Sequence, residues 1–394
     1  MTLEAMLADL APVGLDPLSG GYRRFAWTHA DATLREWFTA EAQRRSLDVV
    51  SDRAGNLWAW SGDPDVTPGV VLGSHLDSVP DGGAYDGPLG VVSAFAALDL
   101  LRERAEQPRR PIGIACFADE EGARFGVACT GSRLLTGMLD PDTARRLTDV
   151  DGDTMAEAAG AAGVDVGQLG RDDEALRRIG TFVELHIEQG RGLVELDAPV
   201  GVASAIWPHG RWRLDLAGRA DHAGTTRLVD RNDPMLRLAS AVTTARSAAA
   251  AHDALATIGK VQVHPGAVNA IASSVTAWLD VRGARADDVR VVVADVAAAC
   301  QTDAVEESWT DATPFDPALR NRLAGLLGSS GTPAPVLATG AGHDAGVLAA
   351  DGIRTAMLFV RNPTGVSHSP DEHADPADCS AGVDALAAVV SALS

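Results

Sequence analysis

Histidine and carboxylate residues follow two short apolar runs in the first third of the chain. HLD, at residues 75–77, comes directly after VVLGS, and DEEG, at residues 119–122, comes at the end of the run IGIACFA. A neutral imidazole can bind a divalent metal ion, and a carboxylate two residues along can orient the ring from behind. Two adjacent glutamates repel each other in a confined site unless a cation compensates one of them. The pattern predicts that Glu121 binds metal and that Glu120 accepts a proton from water activated there.

Three further candidate ligands lie in similar positions. Asp86 follows a glycine-rich turn and opens a predicted helix, where on its own it would be an N-cap. His186 ends the run FVEL and His368 lies in the loop after TAMLFV; either histidine alone is more often a structural residue. Together, however, separate strand ends supply donors suited to Zn²⁺, Mn²⁺ and similar ions. The predicted metal ligands are His75, Asp86, Glu121, His186 and His368.

The first 200 residues alternate short apolar runs with amphipathic segments. This alternation is typical of a mainly parallel sheet covered by helices. We expect buried strands at residues 70–73, 112–117 and 182–187, and a helix at residues 90–101. Functional residues in such sheets gather at the carboxyl ends of the strands. The candidate ligands fall at those ends.

The pattern changes near residue 211. The next 100 residues predict strand, helix, strand, strand, helix and strand in that order, which is the split ferredoxin-like unit. Beyond it the first pattern returns, with a buried strand at residues 355–360 and a closing helix from residue 381. We therefore predict an α/β protein with a discontinuous main domain, residues 1–210 and 311–394, and an inserted smaller α+β domain, residues 211–310.

The composition of the chain limits the binding partners and the cellular compartment that we expect. The formal net charge of −21 disfavours attraction to nucleic acid or anionic membranes, because that attraction requires clustered lysine and arginine. The four cysteines lie far apart without a CxxC pair, which favours a reducing compartment. No run reaches about 18 consecutive apolar residues, and the start has no basic segment before an apolar one. We expect a cytoplasmic protein without a signal peptide or membrane span.

Seven motifs, in order along the chain, carry a resemblance to a known family. They are GSHLDSVPDGGAYDGPLGV, FADEEGARFG, ELHIEQG, DHAGTT, RNDPM, GAGHDA and GVSHSP. From about residue 25 to the closing helix, the chain resembles the M20-type metallopeptidase superfamily, specifically its amidase branch of N-carbamoyl-L-amino-acid hydrolases, β-ureidopropionases and allantoate amidohydrolases. The resemblance implies a di-metal, aminopeptidase-like catalytic domain. It also implies that the inserted domain is both a lid and the dimerisation surface of a homodimer.

The resemblance implies a role for each candidate ligand. Two divalent ions, Zn²⁺ or else Mn²⁺, Co²⁺ or Ni²⁺, would share one bridging carboxylate. Asp86 would bridge, His75 and His186 would hold one ion, and Glu121 and His368 would hold the other. Glu120 would be the general base, and Asp77 would support His75 from behind.

The substrate implied by the resemblance is a small amide or ureido compound that bears a carboxylate, such as an N-carbamoyl-L-amino acid or allantoate. Arg282 would clamp that carboxylate, a role that suits a planar bidentate donor. His222 would stabilise the oxyanion, and Gln189 would bind the ureido or amide group. Asn269 and His343 match further substrate-binding positions. Some of these residues would act in the partner subunit's site.

The chain departs from the family's sequence pattern at several positions. Other functions would also use some or all of the predicted metal ligands, or none of them. Arg227 and Ala272 stand where relatives usually carry proline, and residues 203–211 (ASAIWPHGR) diverge from the usual start of the inserted domain. A dipeptidase or N-acyl-amino-acid deacylase of the same superfamily would use every metal ligand. A mononuclear iron oxygenase would leave Glu121 and His368 unexplained. A metal-free binding protein on this fold would require none of the ligands.

Overall fold

The computed structural model describes residues 2–328 and 333–394. The chain divides into two compact units, which we call unit 1 (Met1–Ser204 and Pro314–Ser394) and unit 2 (Ala205–Thr313). Unit 2 is therefore inserted between the two segments of unit 1. Each unit has its own hydrophobic core.

The strands, in chain order, are β1 (Asp48–Ser51), β2 (Leu57–Ser61), β3 (Gly69–His75), β4 (Ile112–Phe117), β5 (Ile179–Ile187), β6 (Val200–Ile206), β7 (His209–Ala217), β8 (Asp221–His222), β9 (Ala254–His264), β10 (Ala270–Ile271), β11 (Ser274–Gly283), β12 (Ala304–Thr310), β13 (Thr313–Pro314), β14 (Val336–Thr339) and β15 (Thr355–Val360).

The α-helices are α1 (Leu3–Leu10), α2 (His29–Arg44), α3 (Pro88–Glu103), α4 (Thr130–Thr136), α5 (Pro141–Arg146), α6 (Met155–Ala161), α7 (Asp173–Arg177), α8 (Gly192–Glu195), α9 (Pro234–Ala251), α10 (Ala286–Cys300), α11 (Pro317–Leu327), α12 (Asp344–Ala350) and α13 (Pro376–Leu393). One 3₁₀ turn, Leu228–Asp230, is also present.

Unit 1 is built around a mixed sheet with the strand order β1-β2-β4-β3-β5-β15-β6-β13, and β14 pairs with β6. The four central strands, β4, β3, β5 and β15, are parallel to one another. Strands β3, β4 and β15 are buried at every position, as expected for parallel strands covered on both faces. The predicted α/β fold with a mainly parallel central sheet is confirmed.

Strands β4 and β15 have the predicted bounds, whereas β3, β5, α3 and α13 are longer in the structure than in the sequence pattern. Helix α3 extends the predicted segment at both ends, and it starts two residues earlier because Pro88 is tolerated in its first turn. Strand β5 begins at Ile179, three residues before the predicted start. The carboxyl ends of β3, β4, β5 and β15 lie at the same edge of the sheet, since neighbouring strands there are parallel.

The main elements of unit 2 follow the order β7-α9-β9-β11-α10-β12, and four of its strands form one antiparallel sheet in the order β12-β7-β11-β9. The short strands β8 and β10 pair with each other in a separate sheet. Residues of β11 alternate between buried and half-buried along its whole length. The buried side chains pack with apolar residues of α9 and α10, such as Ala245 and Val292. This alternation leaves the opposite face of β11 to polar and charged side chains together with Trp278.

The closing helix α13 is long and apolar enough to cross a membrane by length and composition. Half of it is buried within the protein. Cys379, Leu386 and Val390 belong to the same hydrophobic core as α3 and the central strands. This packing is that of a core helix.

Candidate metal centre

Two histidines and one aspartate meet at the carboxyl ends of β3 and β5. The Nε2 atom of His186 lies 3.0 Å from Oδ1 of Asp86, and Nε2 of His75 lies 3.6 Å from the same oxygen. The Nδ1 atoms are occupied elsewhere, because His75 contacts the carbonyl of Asp77 at 3.1 Å and His186 contacts that of Ile187 at 2.9 Å. Both Nε2 atoms are buried and have no hydrogen-bond partner among the described residues. They therefore face Asp86 as metal ligands would.

A second group forms around the other oxygen of the same aspartate. The Nε2 atom of His368 lies 3.4 Å from Oδ2 of Asp86 and 3.6 Å from Oε1 of Glu121. His368 is half-exposed and has a positive φ of 55°, which turns its loop at the edge of the sheet. Asp86 thus has one oxygen in each group.

Both groups fit divalent cations. In each of them the three ligand atoms lie within 4.8 Å of one another, and they are imidazole nitrogens and carboxylate oxygens. The buried, unpartnered nitrogens of the first group are expected to cost free energy unless something pairs with them. Imidazole and carboxylate donors suit Zn²⁺, Mn²⁺, Co²⁺ and Ni²⁺ alike.

Glu120 lies beside this centre and is fixed from two sides. Its Oε2 atom is 3.7 Å from Nε2 of His75, and its Oε1 atom accepts a weak hydrogen bond from the thiol of Cys129 at 3.4 Å. The carboxylate of Asp77 accepts the backbone N–H of Glu120 at 3.2 Å and that of Glu121 at 3.0 Å. Asp77 therefore holds the loop that carries both glutamates, in addition to lying behind His75.

The carboxyl groups of the centre have perturbed pKa values. Burial, followed by the charge of Asp86, raises the pKa of Glu121 to about 7. Burial raises the pKa of Glu120 well above its usual range, against the opposing effect of His75. Burial lowers the pKa of the His75 imidazole, but the surrounding carboxylates outweigh it and raise the pKa well above 6.5. Positive charge is needed here, and divalent cations would supply it.

Asp86 does not cap a helix, although its position in the sequence suggests that role. The N-cap of α3 is Gly87, which makes no side-chain cap, so the carboxylate of Asp86 is available to the centre. Its Oδ2 accepts hydrogen bonds from Gln189 at 2.8 Å and from Ser367 at 3.1 Å. Gly87 has a φ of 85°, and a Cβ there would lie 2.4 Å from the His75 ring. Only glycine gives that ring its space.

Comparison with known proteins identifies the family. The model of peptidase family M20/M25/M40 matches residues 71–392. The chain belongs to this family. It is 36% identical to the N-carbamoyl-L-amino acid amidohydrolase of Geobacillus stearothermophilus over 96% of this chain and 95% of that protein. It is 30% identical to the allantoate amidohydrolase of Escherichia coli over 98% of this chain and 96% of that protein.

Solved structures agree with this assignment. An amidase of the hydantoinase/carbamoylase family from Burkholderia vietnamiensis superposes with a TM-score of 0.87 and 28% identity. The alignment covers 99% of this chain and 96% of that one. The curated and solved relatives thus support the amidase branch of the M20 family.

Behind the ligands of this M20-family chain lies a buried polar layer that the sequence reasoning missed. The Glu184 carboxylate accepts hydrogen bonds from the Ser74 hydroxyl at 2.8 Å and from the Ala345 N–H at 3.0 Å. Asp344 accepts the hydroxyl of Ser132 at 2.5 Å. Glu184 could have been suspected, because it precedes His186 by two residues in a strand and so lies on the same face of the sheet.

His343 was predicted as a substrate-binding residue, and the structure places it beside His186 with 4.5 Å between the ring centroids. Its two ring nitrogens are buried and have no hydrogen-bond partner among the described residues. Burial, followed by the charge of His186, lowers its pKa well below 6.5, so the ring is neutral. His343, His186 and Glu184 also offer ligand atoms within 4.8 Å of one another.

The three remaining predicted residues belong to unit 2 and fall into two places. His222 pairs with Ala270 across β8 and β10, and the carbonyl of the adjacent Asn269 accepts the N–H of Ala223 at 3.0 Å. These two residues therefore lie together. Arg282 lies near the far end of β11, where it pairs with Asp280 at 2.7 Å.

Proposed function

We propose that this chain hydrolyses a linear amide or ureido C–N bond in a small substrate that bears a carboxylate, namely an N-carbamoyl-L-amino acid or allantoate. The observation that carries the proposal is the division of Asp86 between two ligand groups, with Glu120 beside them. The names of the relatives, an N-carbamoyl-L-amino acid amidohydrolase and an allantoate amidohydrolase, support the substrate class.

We further propose two divalent ions per chain, with His75 and His186 on one, Glu121 and His368 on the other, and Asp86 shared. When bound, such ions polarise the scissile carbonyl and lower the pKa of water. Glu120 accepts the proton of the attacking water and returns it to the leaving nitrogen, which is the role of a general base that becomes a general acid. For a carbamoyl substrate the products are an amine, CO₂ and ammonia.

The positions of the residues of unit 2 that are predicted to bind substrate support a homodimer. His222 and Asn269 precede the start of β11 at Ser274, and Arg282 lies eight residues further along the same strand. At about 3.4 Å per residue, those eight residues span roughly 27 Å. One small substrate cannot contact both ends. We therefore propose that Arg282 acts in one site of the dimer and that His222 and Asn269 act in the other.

The surface of unit 2 is compatible with such pairing. Strand β9 is an edge strand of 11 residues and exposes Leu255, Val261 and Val263. Unprotected edges of this kind favour association with another strand or helix. Light scattering that gave the mass of a single chain at micromolar concentration would contradict the dimer.

The cysteines at positions 116, 129, 300 and 379 are all free and buried, which supports a cytoplasmic location.

The test is a substrate panel with defined metal loading. The chain is stripped of metal, reloaded with Zn²⁺, Mn²⁺, Co²⁺ or Ni²⁺, and assayed on N-carbamoyl-L-amino acids, allantoate, dipeptides and N-acyl amino acids. We expect turnover of ureido substrates with at least one of these four metals, and little turnover of dipeptides with any of them. Hydrolysis of dipeptides or N-acyl amino acids alone would assign the chain to a peptidase or deacylase instead. An absence of turnover with every ion would favour a binding protein.

A further inference from the structure

Two arginines of unit 2 share one aspartate. Asp280 on β11 accepts Nε of Arg282 at 2.7 Å and Nη2 of Arg282 at 3.1 Å. Its Oδ2 atom also lies 3.4 Å from Nε of Arg211, which is directly opposite Asp280 on the neighbouring strand β7. The two guanidinium groups thus meet at a single carboxylate on the polar face of the sheet.

Asp280 is an ionised carboxylate that two guanidinium groups share. Burial raises the pKa of Asp280, but its bonds to Arg282 and Arg211 outweigh burial and lower it, so the carboxylate is ionised. One negative charge then faces two guanidinium groups. His209, opposite Arg282 on β7, adds no charge, because burial and both arginines lower its pKa. In a chain of net charge −21, two guanidinium groups at one place on the sheet favour the approach of an anion.

Among the described residues, Arg211 has an acceptor only for its Nε. Arg211 approaches Asp280 through Nε, which leaves its two Nη groups on a side chain that is 57% exposed. A guanidinium group presents its donors in a planar fork that matches a carboxylate. Arg213, two residues along the same strand, differs because it is paired with both Asp215 at 2.9 Å and Glu307 at 3.1 Å.

We propose that Arg211 is a specificity-determining residue that binds a second carboxylate of the substrate, next to the carboxylate held by Arg282. The inference rests on the proposed function and narrows it to ureido derivatives of acidic amino acids. Arg211 lies in residues 203–211, the segment whose sequence departs from the usual start of the inserted domain. The segment that departs from the family's sequence pattern therefore contains the arginine that lies opposite Asp280.

The test compares N-carbamoyl-L-aspartate with N-carbamoyl-L-alanine in the metal-loaded protein. We expect wild type to show the higher kcat/KM for the diacid. In Arg211→Gln, the ratio of the two kcat/KM values should fall roughly tenfold or more, because a charge-assisted hydrogen-bond pair is lost. Arg213→Gln is the matched control on the same strand and face, and its ratio should equal that of wild type.

Binding of the diacid to each protein is measured in parallel by titration calorimetry, and circular dichroism verifies folding. A weaker Kd for the diacid in Arg211→Gln alone supports the inference. Equal kcat/KM for both substrates in wild type, or an unchanged ratio in Arg211→Gln, overturns it while leaving ureido hydrolysis intact. A loss of the same size for both substrates also overturns it, since Arg211 would then serve the shared carboxylate. Failure of wild type to cleave either substrate, or allantoate, rejects the proposed function and this inference together.

Discussion

At the scale of single residues, the centre depends on carboxylates that are held by neighbours on both sides. The Cys129 thiol donates a hydrogen bond to Oε1 of Glu120, and the backbone N–H of Glu120 donates one to the Asp77 carboxylate. These two bonds fix Glu120 with its Oε2 directed toward His75. Such fixation matters because a general base must lie within hydrogen-bond reach of the proton that it removes. Glutamine has the same shape as glutamate but cannot accept that proton.

Glu120→Gln should therefore lower kcat by roughly a hundredfold to ten-thousandfold, the usual contribution of a general base. Metal content should be unchanged, because the two proposed ligand groups do not include Glu120. The measurements are steady-state kinetics on an N-carbamoyl amino acid and metal analysis after dialysis. Unchanged turnover would exclude Glu120 as the base. Lost metal would show instead that Glu120 is a ligand.

At the scale of elements, the sequence predicted the bounds of single strands and helices better than the contacts between them. The buried runs of β3, β4 and β15 are continuous and apolar. The spacing of apolar residues predicts a helix over residues 234–251, and helix α9 has those bounds. The cap of α3 could not be assigned from the sequence alone, because the choice between Asp86 and Gly87 depends on the His75 ring, which comes from another element. The buried Glu184 was missed for a similar reason, since its partners are distant in sequence.

Gly87 allows a test at this scale. Gly87→Ala places a methyl group against the His75 ring, because the added Cβ would lie 2.4 Å from it. We expect weaker metal binding, and a loss of roughly 1–2 kcal/mol of unfolding free energy from the positive φ alone. Metal affinity is measured by competition with a chromophoric chelator, and stability by denaturant unfolding.

Gly163→Ala is the matched control for this change. Gly163 has a φ of 89°, close to that of Gly87, but an added Cβ there meets nothing within 4 Å. The control should lose similar stability and keep full metal affinity. If both variants bound metal as wild type does, the contact between Gly87 and His75 would not control the centre.

At the scale of the whole molecule, the centre unites residues that are almost 300 positions apart in sequence, from His75 to His368. The order of strands in unit 1 explains why this was predictable, because parallel neighbours bring their carboxyl ends to one edge. The separation of Arg282 from His222 was not predictable from the motifs alone. It depends on the length of β11, which only the structure of unit 2 defines.

Metal removal should destabilise the chain, because the ligands come from both segments of unit 1 and exist as a set only in the folded state. An ion present at about a thousandfold its Kd stabilises the folded state by about 4 kcal/mol. We expect a chelator to lower the calorimetric Tm by several degrees and a divalent salt to restore it. His75→Ala, which removes a ligand of the first group, should show a smaller shift under the same treatment. An identical Tm for wild type with and without chelator would mean that the ions are not coupled to folding, and that the buried carboxylates are compensated by protons alone.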